Sequence, residues 1–150
     1  MGSTIITKSR GRKAMDLSKV KKHIEAFESL KNDIVEAGVA IDGNSVGAIL
    51  AALVIALKGE SRSTTRGLTN AGTAVKVRMS TVGVNDTPAL VDDIPMDNPL
   101  MSKLLVILMD ETGNLDGVYE ATREPIEENG YPKSMSISSK KFKKYATRIM

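Results

Sequence analysis

The sequence predicts an α+β fold, in which two N-terminal helices precede a small mixed β-sheet with a short helix. Two apolar stretches of helical length come first, followed by an apolar hexapeptide and an alternating octapeptide of strand length. The longest apolar run, Val46 to Leu57, has twelve residues and is too short to span a bilayer. We expect a flexible basic arm at residues 1–14 and a single domain over residues 15–150.

The first predicted helix begins after Asp16, a suitable N-cap, and ends at Gly38. Its apolar residues recur every three or four positions: Leu17, Val20, Ile24, Phe27, Leu30, Ile34 and Val35. This stripe packs either on its own domain or on a second copy of the chain, and the sequence does not separate the two. Next, the AIDGNSVG turn offers caps for a second helix, apolar on all sides, that runs to about Leu57.

The strands follow a loop without apolar periodicity, GESRSTTRGLTNAG. Between Thr73 and Val82, valines alternate with Lys76 and Arg78, so a strand there would direct both cations to one face. LLVILM at residues 104–109 is typical of a strand covered on both faces. A turn then leads to the antiparallel LDGVYEAT, REPIEENG predicts a short helix, and an edge strand is expected around residues 135–137.

Composition excludes several kinds of site. The chain has no Cys and one His, which excludes disulfides, thiolate metal sites, Cys nucleophiles and multi-histidine metal sites. It contains no Gly-rich phosphate loop, GxSxG, HExxH or EF-hand pattern. Residues 1–14 lack the apolar core of a secretory signal, so we expect a cytoplasmic protein without a membrane partner.

The charge is unevenly distributed along the chain. Residues 1–13 and 138–150 contain basic residues and no acids, whereas all 18 acidic residues lie between them. Clustered Lys and Arg displace counterions from phosphate, so basic ends predict a polyanion partner. The alternative is that both ends are solvated tails without a ligand.

The order of these segments resembles that of type II restriction endonucleases of the PD-(D/E)XK fold, most closely the Pvu-type enzymes. The shared features are Asn70-Ala71-Gly72, a short strand with alternating polar residues, a long loop reaching Asn98-Pro99, and an apolar strand. LSKVKKHIEAFESLKNDIVEAGV is similar to the family's dimer-forming helix, and PKSMSISSKKFKKYATRI to its closing segment. The resemblance spans roughly residues 16–150 and implies a restriction-endonuclease-like fold and a homodimer formed through helix 16–37.

The catalytic positions implied by this resemblance carry cations. Aligned at Asn70-Ala71-Gly72, the family's first metal-binding acid corresponds to Arg66, its second acid to Lys76 and its catalytic lysine to Arg78. Mg²⁺ requires oxygen ligands, which the side chains of Lys and Arg do not provide. In addition, two unit charges about 5 Å apart interact by roughly 3 kcal/mol at an effective dielectric near 20, so a cation at such a position repels the metal ion. Cations in place of carboxylates therefore oppose metal binding and favour a phosphate oxygen. The family's recognition histidines correspond to Val91 to Pro95, where this chain has none.

The sequence therefore predicts a DNA-binding homodimer whose nuclease-like site has no catalytic residue and no metal or other cofactor. The residues expected to contact double-stranded DNA are Arg66, Lys76, Arg78, Lys133, Lys140, Lys141, Lys143 and Lys144. One alternative is a Mg²⁺-dependent DNA endonuclease with relocated acids, for example Glu60, Asp86, Asp92 or Asp93. Another is a protein-interaction or inhibitory module on a nuclease scaffold. In a further interpretation, Lys76 and Arg78 lie on the solvent face of an amphipathic strand, are bridged to acids on the next strand and bind no ligand.

Overall fold

Two units follow each other along the chain, one ending at Asn70 and the next beginning at Ala71. The computed structural model describes residues 16–39, 41–61, 67–82, 85, 87–129 and 136–150. The predicted basic arm at residues 1–14 lies outside the described residues. The single domain expected over residues 15–150 stays a prediction.

Two helices make up most of the described part of the first unit: α1 (Leu17–Glu36) and α2 (Gly43–Leu57). Both begin at the predicted caps. The Asp16 carboxylate accepts a hydrogen bond from the Ser18 N–H at 3.1 Å, and the Asp42 carboxylate accepts one from the Asn44 N–H at 3.3 Å. Gly38, with φ +90°, follows α1 in the left-handed conformation that commonly ends a helix.

The apolar stripe of α1 is covered only along its centre. Val20 and Ile24 are buried, whereas Leu17, Leu30 and Val35 are 40%, 60% and 51% exposed. Helix α1 contacts α2, so it has a partner within its own unit. No described helix is both long and apolar enough to cross a membrane.

The second unit is built on a mixed sheet. Its strands are β1 (Thr73–Met79), β2 (Thr81–Val82), β3 (Thr87–Pro88), β4 (Leu90–Val91), β5 (Lys103–Met109), β6 (Leu115–Thr122), β7 (Ile137–Ser138) and β8 (Thr147–Arg148), and its helices are α3 (Arg123–Glu128) and α4 (Ser139–Phe142). In the described part of the chain, a four-stranded sheet has the order β1-β5-β6-β8, β2 pairs with β3, and β4 pairs with β7. β1 and β5 are parallel, and the other neighbours are antiparallel. The predicted α+β class with a mixed sheet is confirmed.

Strand boundaries agree with the sequence pattern at the centre of the sheet and differ at its margins. β6 coincides with LDGVYEAT. The strand expected from Thr73 to Val82 is interrupted at Ser80, whose N–H donates to the Met109 carbonyl oxygen at 2.7 Å, and β2 then pairs with β3. The edge strand expected around residues 135–137 is found at Ile137–Ser138, and Met135 lies outside the described residues.

Gly72 joins the start of β1 to the segment before β5. It has φ +80°, and its carbonyl oxygen accepts a hydrogen bond from the Ser102 N–H at 2.8 Å. A Cβ at this position would lie 2.5 Å from the Leu100 carbonyl oxygen, closer than side chains ever approach. This close approach allows the parallel register, which begins with Thr73 beside Lys103.

We expect Gly72→Ala to lower the free energy of unfolding by about 2–4 kcal/mol, because it adds a backbone clash to the cost of a left-handed conformation. Urea denaturation measures this change. Gly67→Ala is the matched control, since Gly67 has φ +72° and a Cβ there meets nothing within 4 Å. The free energy of unfolding of this control should fall by only about 1–2 kcal/mol. Equal decreases in both variants would contradict the close approach of Gly72 to the Leu100 carbonyl oxygen.

A candidate polyanion-binding surface

On one face of the four-stranded sheet, the charged residues that the strands themselves contribute are all basic. Residues in register share a face, and Lys76, Val106, Tyr119 and Arg148 form one row across the four strands. The other residues of that face are Ala74, Arg78, Leu104, Leu108, Gly117 and Ala121. The strands are about 4.8 Å apart, so the Cα atoms of Lys76 and Arg148 lie roughly 14 Å apart, at opposite edges of the sheet.

Arg78 is held by Asp92 in the loop after β4. Its Nη2 and Nε donate to the Asp92 Oδ1 at 2.6 and 3.1 Å, and Nη2 also approaches the Asp92 carbonyl oxygen at 3.3 Å. Nη1 donates to the carbonyl oxygen of Val77 at 2.9 Å. These hydrogen bonds lower the pKa of the Asp92 carboxyl from its ordinary value. Arg78 therefore has an acidic partner, which lies in the loop after β4 and not on a neighbouring strand as the solvent-face interpretation expects.

Lys76 lies two residues before Arg78 on the same face and is half-buried. Burial lowers the pKa of its ammonium group, and repulsion by Arg78 lowers it further, while Asp93 and Asp92 act in the opposite direction. The two cations and the two carboxylates therefore form one electrostatic cluster at the β1 edge.

The basic C-terminal segment is folded onto the sheet. Ile137 pairs with Val91, and Thr147 pairs with Glu120. Between these pairings, the Ser138 hydroxyl caps α4 by accepting a hydrogen bond from the Lys141 N–H at 3.2 Å, and Phe142 is 1% exposed. The interpretation of this end as a solvated tail is wrong for residues 136–150.

Four of the predicted DNA contacts lie on this folded segment, and their side chains are exposed: Lys140, Lys141, Lys143 and Lys144. The Lys143 Nζ lies 5.3 Å from the ring centroid of Tyr119, and the Arg148 Cζ lies 5.6 Å from the same centroid. A Cβ at Gly117 would lie 2.8 Å from the Tyr119 Cε1, so the absence of a side chain there makes room for the ring. Tyr119 thus contacts one cation that follows α4 and one cation of β8.

The predicted site residues are only partly brought together. Lys76 and Arg78 lie at the β1 edge with two acids, whereas the four lysines belong to the segment that ends in β8 at the opposite edge. Arg66 and Lys133 lie outside the described residues. Arg148 completes the basic row across the sheet, and sequence analysis missed it as a site residue because the β6–β8 pairing is not visible in the sequence pattern.

The described acids among those considered for a relocated nuclease site are engaged with other side chains. Glu60, in the first unit, is buried and accepts a hydrogen bond from the Thr69 hydroxyl. Asp92 is paired with Arg78, Asp93 interacts with Lys76, and Asp86 lies outside the described residues. Within the part of the chain that the structure describes, no group of three or more His, Asp or Glu side chains could hold a metal ion.

Arg123, at the start of α3, has a structural role that sequence analysis missed. Its Nη1 donates to the carbonyl oxygens of Asn98 and Met101 at 2.7 and 3.1 Å, and its Nη2 donates to that of Met96. Its Nε donates to the Glu127 carboxylate at 3.2 Å. The guanidinium thus holds the turn that contains Asn98-Pro99, and it is not part of the exposed basic surface.

Comparison with protein-family models finds no matching family, and comparison with curated proteins finds no significant match.

We expect Arg78→Ala to raise the pKa of the Asp92 carboxyl toward its ordinary value, because the mutation removes the hydrogen bonds that favour the carboxylate. Because the pKa of Asp92 is lowered in the folded protein, the stabilisation from this pair is present above the ordinary pKa of Asp and is lost as the pH falls through the lowered value. NMR titration of the side-chain carboxyl measures the change. Lys144→Ala is the control, and an equal shift in that variant would contradict a local cause.

We expect Arg123→Lys to lower the free energy of unfolding by about 2 kcal/mol, because a single ammonium group cannot reproduce the fork of hydrogen bonds to several carbonyl oxygens. Thermal or urea unfolding measures the loss. Glu127→Gln is the control, since it removes only an exposed ion pair with Arg123, and it should cost no more than about 0.5 kcal/mol. Similar losses in both variants would assign the stabilisation to the ion pair instead.

Proposed function

We propose that the protein binds duplex DNA without cleaving it, as a homodimer, and that the basic C-terminal segment makes the main phosphate contacts. The observation that carries the proposal is the folding of this segment onto the sheet. Five basic residues, Lys140, Lys141, Lys143, Lys144 and Arg148, lie on a segment fixed at both ends by strand pairing. A fixed array of cations loses less conformational entropy on binding than a flexible tail does.

The charge of this segment supports a polyanionic ligand. Residues 138–150 contain no acid, so their positive charges are not neutralised by neighbours in the sequence. On the sheet face next to the segment, Arg148 is exposed at the edge, whereas the central residues Leu104, Val106 and Leu108 are buried. Binding of several phosphates by such a surface releases counterions, which gives affinity without a specific base contact.

Double-stranded DNA is a better candidate than a single strand. Single-strand binders stack successive bases on exposed aromatic rings, and only 3% of this chain is aromatic. Near the basic segment, Phe142 is buried, and the ring of Tyr119 is already in contact with Lys143 and Arg148. The surface therefore offers charge and little stacking area.

The homodimer is proposed through α1. Its exposed apolar side chains, Leu17, Leu30 and Val35, flank the buried stripe, and a second copy of the helix would cover them. A two-fold dimer would double the number of phosphate contacts and would favour a duplex site with two-fold symmetry.

A protein-interaction module is the second candidate, and the first unit favours it. In addition to the exposed residues of α1, Val39 and Ile49 are 56% and 42% exposed. Apolar side chains exposed in one region are typical of protein contacts and contribute little to phosphate binding. This candidate predicts no DNA binding at any salt concentration.

Electrophoretic mobility shift or fluorescence anisotropy with a labelled duplex, over a range of salt concentrations, tests the proposal. We expect the affinity to fall steeply with salt and the DNA to remain intact in the presence of Mg²⁺. The double variant Lys140→Ala/Lys144→Ala should bind more weakly, and its slope of log affinity against log salt should be less steep by about 1.8, or 0.9 per lost contact.

The control is Lys21→Ala/Lys22→Ala, which removes the same charge from exposed positions on α1. Light scattering establishes whether this control keeps the oligomeric state of the wild type. Equal slopes in the two double variants would assign binding to net charge alone, and the absence of wild-type binding would favour the protein-interaction module. Cleavage that requires Mg²⁺ and stops with a chelator would establish the endonuclease alternative.

A further inference from the structure

The contact between Arg78 and Asp92 has the geometry of an occupied anion site. The guanidinium directs Nε and Nη2 at one carboxylate oxygen, at 3.1 and 2.6 Å, while Nη1 is used by the Val77 carbonyl oxygen. Arginine binds a carboxylate and a phosphate with the same fork of N–H groups. The side chain of Asp92 therefore occupies the position that a backbone phosphate would take on Arg78.

The loop holds Asp92 in place from both sides. Val91 and Ile94 are fully buried and fix the backbone before and after it, whereas the Asp92 side chain is 54% exposed. Because the two anchors flank the exposed carboxylate, a rotation of the Asp92 side chain would release Nε and Nη2 of Arg78 from the carboxylate without moving the loop, and the contact of Nη2 with the Asp92 carbonyl oxygen at 3.3 Å would remain. The ion pair is reachable by solvent, and such pairs contribute little net stability, so a competing anion could displace it.

The two edges of the sheet also differ in their balance of charge. At the β1 edge, Lys76 and Arg78 are opposed by Asp92 and Asp93. At the β8 edge, Arg148 belongs to a segment whose residues 138–150 contain no acid. The β1 edge is thus opposed by acids of its own loop, while the C-terminal segment contains no acid of its own.

We propose that Asp92 is an internal competitor for the phosphate groups of DNA at Arg78, so that the loop after β4 lowers the affinity of the basic face. This inference rests on the proposed DNA-binding function. It predicts that the unbound protein keeps Arg78 paired with Asp92, and that removal of the Asp92 charge makes one more phosphate contact available.

The experiment measures duplex affinity of the wild type and of Asp92→Asn at several salt concentrations. We expect the variant to bind more tightly at low salt, with a slope of log affinity against log salt that is steeper by about 0.9. Equivalently, its loss of affinity between 50 and 200 mM salt should exceed that of the wild type by about 3.5-fold. Asp92→Ser serves as a second variant with a shorter side chain, and thermal unfolding verifies that each variant is folded.

The matched control is Asp97→Asn, which makes the same change of charge at another exposed position of the second unit. It should leave the slope unchanged, since a change in net charge adds no phosphate contact. The double variant Asp92→Asn/Arg78→Ala should lose the additional slope, because the residue that gains the phosphate is then absent.

The outcomes separate this inference from the proposed function. If the wild type binds with a steep salt dependence and both Asp92 variants keep its slope, the competitor role of Asp92 is overturned and the proposed function stands. If Asp97→Asn steepens the slope as much as Asp92→Asn, the effect is one of net charge and the inference is also overturned. If neither the wild type nor any variant binds duplex DNA, the proposed function itself fails.

Discussion

Burial of β5 on both faces is the constraint on which the second unit depends. Leu104, Leu105, Val106 and Ile107 are fully buried, although successive side chains of a strand point to opposite faces. A charged residue at any of these positions would lose its hydration without gaining a partner. Apart from Lys103 at the start of β5, the charged residues of this sheet therefore lie on the other strands. The row that contains Lys76 and Arg148 has its cations on the two edge strands, β1 and β8.

The parallel pairing of β1 with β5 decides which charges share a face. Because Lys76 is in register with Val106, and Val106 with Tyr119, the even-numbered residues of β1 lie on the face that also receives Arg148. The loop after β4 then brings Asp92 to one end of this row, and the segment after β7 brings Lys143 to Tyr119. The same face therefore has acids beside its β1 edge, although its strands supply only cations.

Local sequence signals were sufficient to predict the helices and strands that are defined by a capping residue or by a hydrophobic pattern within their own segment. Asp16 and Asp42 cap the two helices, the continuous apolar run forms β5, and the alternating octapeptide forms β6. The pairing of Arg78 with Asp92, by contrast, joins residues 14 positions apart through the folding of a loop that contains no period. The contacts of Arg123 with carbonyl oxygens and of Arg148 with Tyr119 likewise depend on which segments meet in space. Sequence analysis could therefore identify a basic surface and could not determine which of its cations have partners.

In the proposed complex, higher salt would favour Asp92 over a DNA phosphate as the partner of Arg78. The Arg78 side chain is 27% exposed and that of Asp92 is 54% exposed, so salt also screens this ion pair. A phosphate contact also gains from counterion release, and this gain shrinks as the salt concentration rises. If the proposed DNA binding holds, each increase in salt would weaken the external ligand more than the internal one, and Asp92 would regain Arg78 as the salt concentration rises. On this basis the β1 edge would disengage from DNA before the C-terminal segment, because the contact of Arg78 with a phosphate has an internal competitor in Asp92.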